Sequence, residues 1–429
     1  MNALRRRRRR PRVHFTSLLA TMTFSVGLAA SAPAAPPPTF FDHVQHSWAV
    51  GTVTFSDQKE FRDGRLLVSI GQIVDLVHAK RGKPRGVMFT YELEEGESAP
   101  YDYQKPIFVV IELLPKNKYW RENLPPTSRH TAPSGSRYIF SGEDLEPASE
   151  LAKAWAATLS LKGPDRWRAQ HAVLASALLS DVDVLREDAV RHLSRQLPLT
   201  REIDDDSVSK IGVFILGDSP AQERERVIRA AGRAGVQPLA GPLEKIAARE
   251  DALSRSALDA LNAIGKPRTP EQLKKLSDSK NADVRAFAVE QVAAGSAGDD
   301  AARKAAVAVL LGDDVEIVRT GAAIGLGRAA SPAAIEPLGR ALARSDGASR
   351  AAGSALAAIG GPEAVAALKA SANEGGTAAR VAAVLALGEI GDSCADCTAF
   401  LQQVRSSNSD PVARDIAGVV LESGAAAGN

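Results

Sequence analysis

The chain has 429 residues, enough for two or more domains, and a formal net charge of +2. Seven of its arginines lie within the first 32 residues, which hold no acid, so the rest of the chain has 46 basic against 51 acidic residues, a net charge of −5. A mildly acidic protein gives no support for binding a phosphate backbone, and we expect no nucleic-acid partner.

Residues 1–34 have the pattern of a secretory signal peptide. Residues 5–10 are all arginine, an apolar run of 14 residues extends from Phe15 to Leu28, and small residues lead to Ala32 and Ala34. The run is shorter than the roughly 20 apolar residues of a membrane span. We therefore expect export to the periplasm or the extracellular medium, with membrane attachment only if the leader stays uncleaved.

Residues 35–145 are predicted to form a small all-β domain. All five tyrosines of the chain lie here, and the segments rich in β-branched and aromatic residues carry no helical pattern. The predicted strands cover 47–55, 65–79, 86–93, 106–114 and 136–141. This number of short strands predicts an antiparallel sandwich or a partly open barrel.

The connections between these strands hold the candidate partner contacts. Tyr101 and Tyr103 lie in a turn-rich connection, and Tyr119 and Trp120 follow the end of a predicted strand. Exposed tyrosine and tryptophan side chains are good anchors for a protein or a glycan. The alternative is that Trp120 and one tyrosine complete the core of a small domain, which needs its large side chains.

His43 and His46 have a spacing that could suit a metal. Only Asp42 nearby could add a ligand, whereas zinc sites normally have three or four protein ligands. We therefore predict no metal site and interpret the two histidines as polar residues that lead into the first strand.

From residue 146 to about 425 the chain repeats one sequence motif. Its cleanest copy is RVAAVLALGEIG at 380–391, and further copies lie at 255–265 and 350–360. The arginine that opens each copy recurs every 30 to 34 residues, at Arg255, Arg285, Arg319, Arg350, Arg380 and Arg414. Short Gly, Pro, Asp and Ser breaks alternate with helical patterns, so we predict about eight helical hairpins, each touching only its neighbours.

The copies of this motif resemble the HEAT-repeat family, in the short bacterial form that is also seen in phycobilisome-lyase-type repeats. The resemblance covers about residues 165–425 and implies an α–α superhelical solenoid that binds other proteins along an extended face. It also implies that the recurring arginine pairs with acids of the same or the next unit in an internal ladder. The alternative is a basic stripe that holds an anionic segment of a partner.

Cys394 and Cys397 are the only cysteines of the chain and are separated by two residues. In an exported protein such a pair is expected to be oxidised, and we interpret it as a local disulfide clip at the start of a helix. The alternative is a redox centre, but redox pairs of this spacing normally follow a β-strand, and no strand is predicted here.

The sequence carries no nucleophile elbow, phosphate-binding loop, dinucleotide fingerprint or complete metal set, so we predict neither catalytic residues nor a cofactor. The expected function is an exported, non-enzymatic scaffold whose solenoid and β domain bind one or more proteins. Two alternatives remain. The resemblance to lyase-type repeats implies an enzyme that attaches or removes a chromophore, and the β domain could be an inhibitor or a glycan-binding module with the solenoid as a spacer.

Overall fold

The computed structural model describes residues 37–61, 66–93, 99–114, 130–131, 135–195, 199 and 203–427. The described residues from Thr39 onward form one compact unit. The predicted leader at 1–34 lies outside the described residues. None of the described helices combines the length and the apolar character of a membrane span.

The strands of the described residues form one sheet that closes on itself. They are β1 Ala49–Phe61, β2 Leu66–Ala79, β3 Gly86–Glu92, β4 Ile107–Leu113, β5 His130–Thr131 and β6 Ile139–Phe140. Their order is β1-β2-β3-β5-β4-β6, and β1 also pairs with β4, which closes the barrel. The predicted barrel is confirmed, although β3 and β5 pair in parallel. The alternation of apolar side chains thus predicted where the strands lie. It did not predict that β3 and β5 pair in parallel.

A short helix, α1 Phe40–His46, precedes the first strand. His43 and His46 lie on this helix in the lead-in to the first strand, where they were predicted, although no helix was predicted there. Thr39 accepts a hydrogen bond from the backbone of Asp42, whose carboxylate in turn accepts one from the backbone of Thr39, which makes a complete capping box. Seven residues are too few for a helical periodicity to be visible in the sequence, and this cap is the signal that identifies the helix.

Helices fill the described residues from 145 onward. They are α2 Leu145–Thr158, α3 Gly163–Ala177, α4 Asp183–Arg195, α5 Asp205–Leu216, α6 Ala221–Ala234, α7 Ala240–Ala247, α8 Ser254–Ala263, α9 Pro270–Ser277, α10 Ala282–Ala294, α11 Asp300–Gly312, α12 Glu316–Ala329, α13 Ile335–Ala343, α14 Ser349–Ile359, α15 Gly361–Glu374, α16 Thr377–Ile390, α17 Cys397–Ser407 and α18 Pro411–Ala427. The predicted class, a β module followed by a helical repeat solenoid, is confirmed.

The even-numbered helices from α4 to α18 pack one on the next in a continuous row. Glycine allows the closest approaches in this row. A Cβ on Gly321 of α12 would lie 2.5 Å from the carbonyl oxygen of Ala286 on α10, and one on Gly325 would lie 2.4 Å from that of Glu290. The odd-numbered row is less regular, because α11 packs on α13 but only sparsely on α9.

The apolar core has two main parts in the first half of the unit. Side chains such as Val53, Phe89 and Ile111 fill the barrel interior. A second core begins with Phe40 and Phe41 of α1 and continues through the first helices as far as Phe287 of α10. The outer face of the barrel and the first helices therefore share one core.

Candidate interaction site

Asp188 of α4 joins the β region to the helices and is fully buried. Its Oδ2 accepts hydrogen bonds from the Phe40 amide at 2.6 Å and from the Tyr138 hydroxyl at 2.8 Å. Its Oδ1 accepts them from Arg137 at 2.9 Å and from Arg191. Burial and the Asp188 charge raise the pKa of Tyr138, so its hydroxyl stays a donor. With four donors on one buried carboxylate, this cluster has a structural role.

The two histidines of α1 face different neighbours. His43 is buried, and its Nδ1 lies 3.0 Å from Oε1 of Glu112 on β4. The hydrogen bond from His43 lowers the pKa of Glu112, although burial opposes this. His46 is exposed, and its Nδ1 lies 2.9 Å from the carbonyl oxygen of Asp42. The structure therefore gives the pair separate partners.

The predicted aromatic contacts of the β region do not form one surface. Tyr101 is only 5% exposed and packs against Phe55 and Phe89 in the barrel, where its hydroxyl lies 3.2 Å from Ser69 Oγ. Its proposed role as an exposed contact is therefore corrected, because the turn around it folds back over the barrel interior. Tyr103 is 37% exposed and remains a candidate. Tyr119 and Trp120 lie outside the described residues.

Three of the recurring arginines bond to acids, as the ladder interpretation expects. Arg255 lies 3.0 Å from Asp259 in its own helix and 2.5 Å from Glu290 two helices further on. The other two pairs are Arg319 with Asp346, at 2.9 Å, and Arg350 with Glu389. Glu290 is almost fully buried and also pairs with Arg328 of α12. It thereby links three successive even-numbered helices.

The remaining arginines of the ladder use a contact that the sequence did not reveal. Arg285, Arg380 and Arg414 donate to backbone carbonyl oxygens of the loops that precede their own helices, at 2.6 to 2.8 Å. Arg319 does the same toward Asp313. Since all six arginines donate within the solenoid, they do not constitute an open basic stripe.

Cys394 and Cys397 are joined by a disulfide that closes the turn leading into α17. With Asp396 they form the only group of three neighbouring candidate metal ligands within the described residues. The preceding element is α16 rather than a strand. The surroundings therefore suit a clip better than a redox centre of the usual kind.

An open cleft lies where α1 meets α2, α3 and α4; we call it the junction cleft. Its volume is about 600 Å³. It is lined by Asp42, Gln45, His46, Trp155, Leu161, Lys162, Gly163, Arg166, Trp167, Gln170 and His192. Trp167 is 55% exposed. Trp167 was not predicted as a contact; its position near the start of α3 was the available signal.

A second opening, the α9–α11 groove, lies between α9 and α11, which pack against α10 but hardly against each other. Its volume is about 470 Å³. It is lined by Pro270, Leu273, Lys274, Ser277, Val289, Gln291, Val292, Gly295, Asp299, Ala302, Ala305, Ala306 and Val309. The lining is largely apolar, with one base and one acid.

Comparison with known protein families finds a match to part of the helical region. The family model of HEAT repeats matches residues 269–357, which begin just before α9 and end within α14. No curated protein matches the chain.

Three solved structures are similar to parts of the chain. An engineered protein is 21% identical, with a TM-score of 0.28 and coverage of 65% of this chain and 85% of its own. Human deoxyhypusine hydroxylase in complex with glycerol is 19% identical, with a TM-score of 0.28 and coverage of 60% and 96%. A second engineered protein is 18% identical, with a TM-score of 0.19 and coverage of 60% and 97%. None of these TM-scores supports an argument about function. The family match shows HEAT repeats at residues 269–357, within a longer row of stacked helices.

Proposed function

We propose that this protein is an exported, non-enzymatic scaffold that binds an amphipathic helix of a partner protein in the α9–α11 groove. The observation that carries the proposal is this groove, which lies within the residues matched to HEAT repeats. HEAT-like repeat solenoids are typical protein-interaction scaffolds.

The groove suits a helix for two reasons. Within the odd-numbered row α9 and α11 hardly contact each other, and a helix laid between them would cover the half-buried residues at the C-terminal end of α10. Its apolar side chains would then meet the half-buried Val292 and Val309 and the exposed Ala305. Lys274 and Asp299 lie at the groove as charged partners for the polar flanks of that helix.

The buried ionisable groups support a non-enzymatic role. Asp188 holds four donors that join the β region to α4, and Glu290 holds two arginines of neighbouring repeats. Carboxylates held in this way stabilise a fold, and the four donors to Asp188 occupy the lone pairs of its two oxygens. Export remains part of the proposal and is supported by the leader pattern at 1–34.

The test combines affinity capture from the exported fraction with mapped cross-links and one pair of matched variants. Ala305 and Ala308 are both exposed on α11, but only Ala305 lines the groove. We expect cross-links from the partner to α9–α11, and binding at least about tenfold weaker with Ala305→Arg but unchanged with Ala308→Arg, since a tenfold loss needs only about 1.4 kcal/mol. Equal binding by both variants, or cross-links confined to other helices, would overturn the groove assignment.

The leader is tested by the intact mass of the protein recovered from the same fraction. Cleavage after Ala32 or Ala34 is expected. A full-length mass in the soluble exported fraction, or recovery only from the cytoplasm, would contradict the proposed export.

A further inference from the structure

We propose that the junction cleft is a second binding site, which takes an acidic, apolar-flanked peptide segment of the partner protein. This inference rests on the proposed function, because it assumes that the ligand is a protein. It concerns a site on α1, α2, α3 and α4, separate from the α9–α11 groove in residues and in chemistry.

The base of the cleft contains a buried hydrogen-bond donor that has no acceptor. Trp155 of α2 is 1% exposed, and its indole Nε1 is buried without a hydrogen-bond partner. Its ring is held between Phe41 and His192, with centroids 4.9 Å and 5.3 Å away. A buried N–H that lacks an acceptor destabilises the free protein, and an oxygen of a ligand would accept its hydrogen bond. The site therefore favours a ligand that presents an acceptor.

Positive charge beside this donor favours an anionic acceptor. Lys162 and Arg166 line the cleft, and within the described part of the chain neither forms an ion pair. Arg166 has only a long contact, 3.4 Å, with Oε1 of Gln45. Burial lowers the pKa of His192, so its ring is neutral at neutral pH and adds no charge. Asp42 adds one negative charge, but its carboxylate already accepts the two hydrogen bonds from Thr39.

The start of α3 adds to this preference. Lys162 occupies the N-cap of this 15-residue helix and provides no side-chain cap for the first-turn amides that remain beside Pro164, which has no N–H. Uncapped helix N-termini attract carboxylates, through the partial positive charge of the helix and through the amides themselves. A side-chain carboxylate of a peptide would supply this cap.

The rim of the cleft is apolar and aromatic. Trp167 is 55% exposed and Leu161 is 39% exposed, and both line the cleft. An exposed tryptophan next to cationic groups is typical of the centre of a protein interface. Together these features fit an aspartate or glutamate followed by a large apolar side chain.

The experiment selects ligands for the full-length protein from random 12-residue peptides displayed on phage. We expect the enriched sequences to carry Asp or Glu next to Leu, Phe or Trp. Their affinity should fall at least tenfold when the acids are changed to amides and when the protein carries Lys162→Gln with Arg166→Gln. Arg168→Gln is the matched control, because Arg168 lies on the same helix, is about half exposed and does not line the cleft; it should change affinity less than twofold.

A spectroscopic readout distinguishes direct binding from a general loss of charge. The indole N–H resonance of Trp155, assigned from its absence in Trp155→Phe, should shift downfield when an acidic peptide binds. Enriched peptides without acids, no enrichment, equal affinity for the Gln double variant, or an unmoved Trp155 resonance would each overturn the proposal. None of these outcomes would affect the α9–α11 groove test, so the two proposals fail separately.

Discussion

The β region and the helical repeats solve the same packing problem with different side chains. In the β region and at its junction, Phe40, Phe108 and Phe140 pack ring against ring, with centroids 5.6 to 6.4 Å apart. In the repeats, small residues let helix backbones touch, as where Gly325 meets Glu290. The β region fills its core with large aromatic rings. The repeats reach close packing because small residues let the helix backbones approach each other.

The contacts also differ in how far they reach along the chain. Asp188 bonds to Phe40, which is 148 residues away, whereas Arg255 bonds to Glu290, 35 residues away. Damage at the junction should therefore weaken the β region and the first helices together, whereas damage within a repeat should mainly affect its neighbours. Three substitutions test this difference.

Asp188→Ala is expected to have the largest effect. It leaves the Phe40 amide and the Tyr138 hydroxyl buried without an acceptor and leaves Arg137 without its closest acid. We expect the free energy of unfolding to fall by about 3 kcal/mol. Urea unfolding should show this loss in tryptophan fluorescence and in far-UV circular dichroism alike.

The matched control is Asp206→Ala on α5. The carboxylate of Asp206 is 70% exposed and bonds to Lys210 at 2.6 Å. Exposed pairs of this kind contribute little, so we expect a change below about 0.5 kcal/mol. If the two substitutions had equal effects, the junction would not be the anchor that we infer.

Gly325→Ala is expected to have an intermediate effect. The added Cβ would lie 2.4 Å from the carbonyl oxygen of Glu290 and 2.5 Å from Cβ of Ala293, so α10 and α12 must move apart. Overpacking of this kind costs about 2 kcal/mol, even after the better helix propensity of alanine. Thermal unfolding should show the loss, and hydrogen exchange should show it concentrated in α10 and α12.

Gly241→Ala provides the comparison for this glycine. Gly241 lies in the first turn of α7, and its added Cβ would meet nothing within 4 Å. We expect it to stabilise the protein by about 0.5–1 kcal/mol. A loss of stability similar to that of Gly325→Ala would mean that close helix approach is not the cause.

The sequence predicted what depends on local pattern and missed what depends on the fold. The strand patterns at 65–79 and 86–93 match β2 and β3 closely, because alternation is a property of neighbouring residues. The burial of Tyr101 depends on how its turn meets the barrel. The arginine period was visible, but the loop carbonyls that Arg285 and Arg414 contact are backbone groups, which no side-chain pattern can show.

The candidate site was harder to predict than the fold for the same reason. Trp167 and His46 are 121 residues apart and line one cleft only because α1 packs beside the helices. The α9–α11 groove depends on a sparse contact between two helices, and an amphipathic pattern does not indicate how closely two helices pack. Surfaces of this kind follow from the arrangement of elements, which the repeat period alone leaves open.

Asp204→Ala is expected to have the smallest effect and tests the local side of the comparison. Asp204 is the N-cap of α5, and its carboxylate accepts hydrogen bonds from the Ser207 amide at 2.8 Å and the Ser207 hydroxyl at 2.6 Å. Its loss should cost about 1 kcal/mol at neutral pH. Hydrogen exchange should show the effect confined to α5 and its neighbours, unlike that of Asp188→Ala.

The pH dependence of the Asp204→Ala effect identifies its cause. Burial alone would raise the pKa of Asp204, but the two hydrogen bonds from Ser207 lower it below the usual aspartate value. A carboxyl whose pKa is lower in the folded state stabilises the protein above its unfolded pKa and loses this contribution as the pH falls through the folded value. The difference in unfolding free energy between the wild type and Asp204→Ala should therefore be constant from about pH 5 to 7 and shrink below about pH 4. A difference that persisted at low pH would assign the effect to packing rather than to the charged cap. Asp204 would then no longer serve as the example of a local electrostatic contact to compare with the long-range contacts of Asp188.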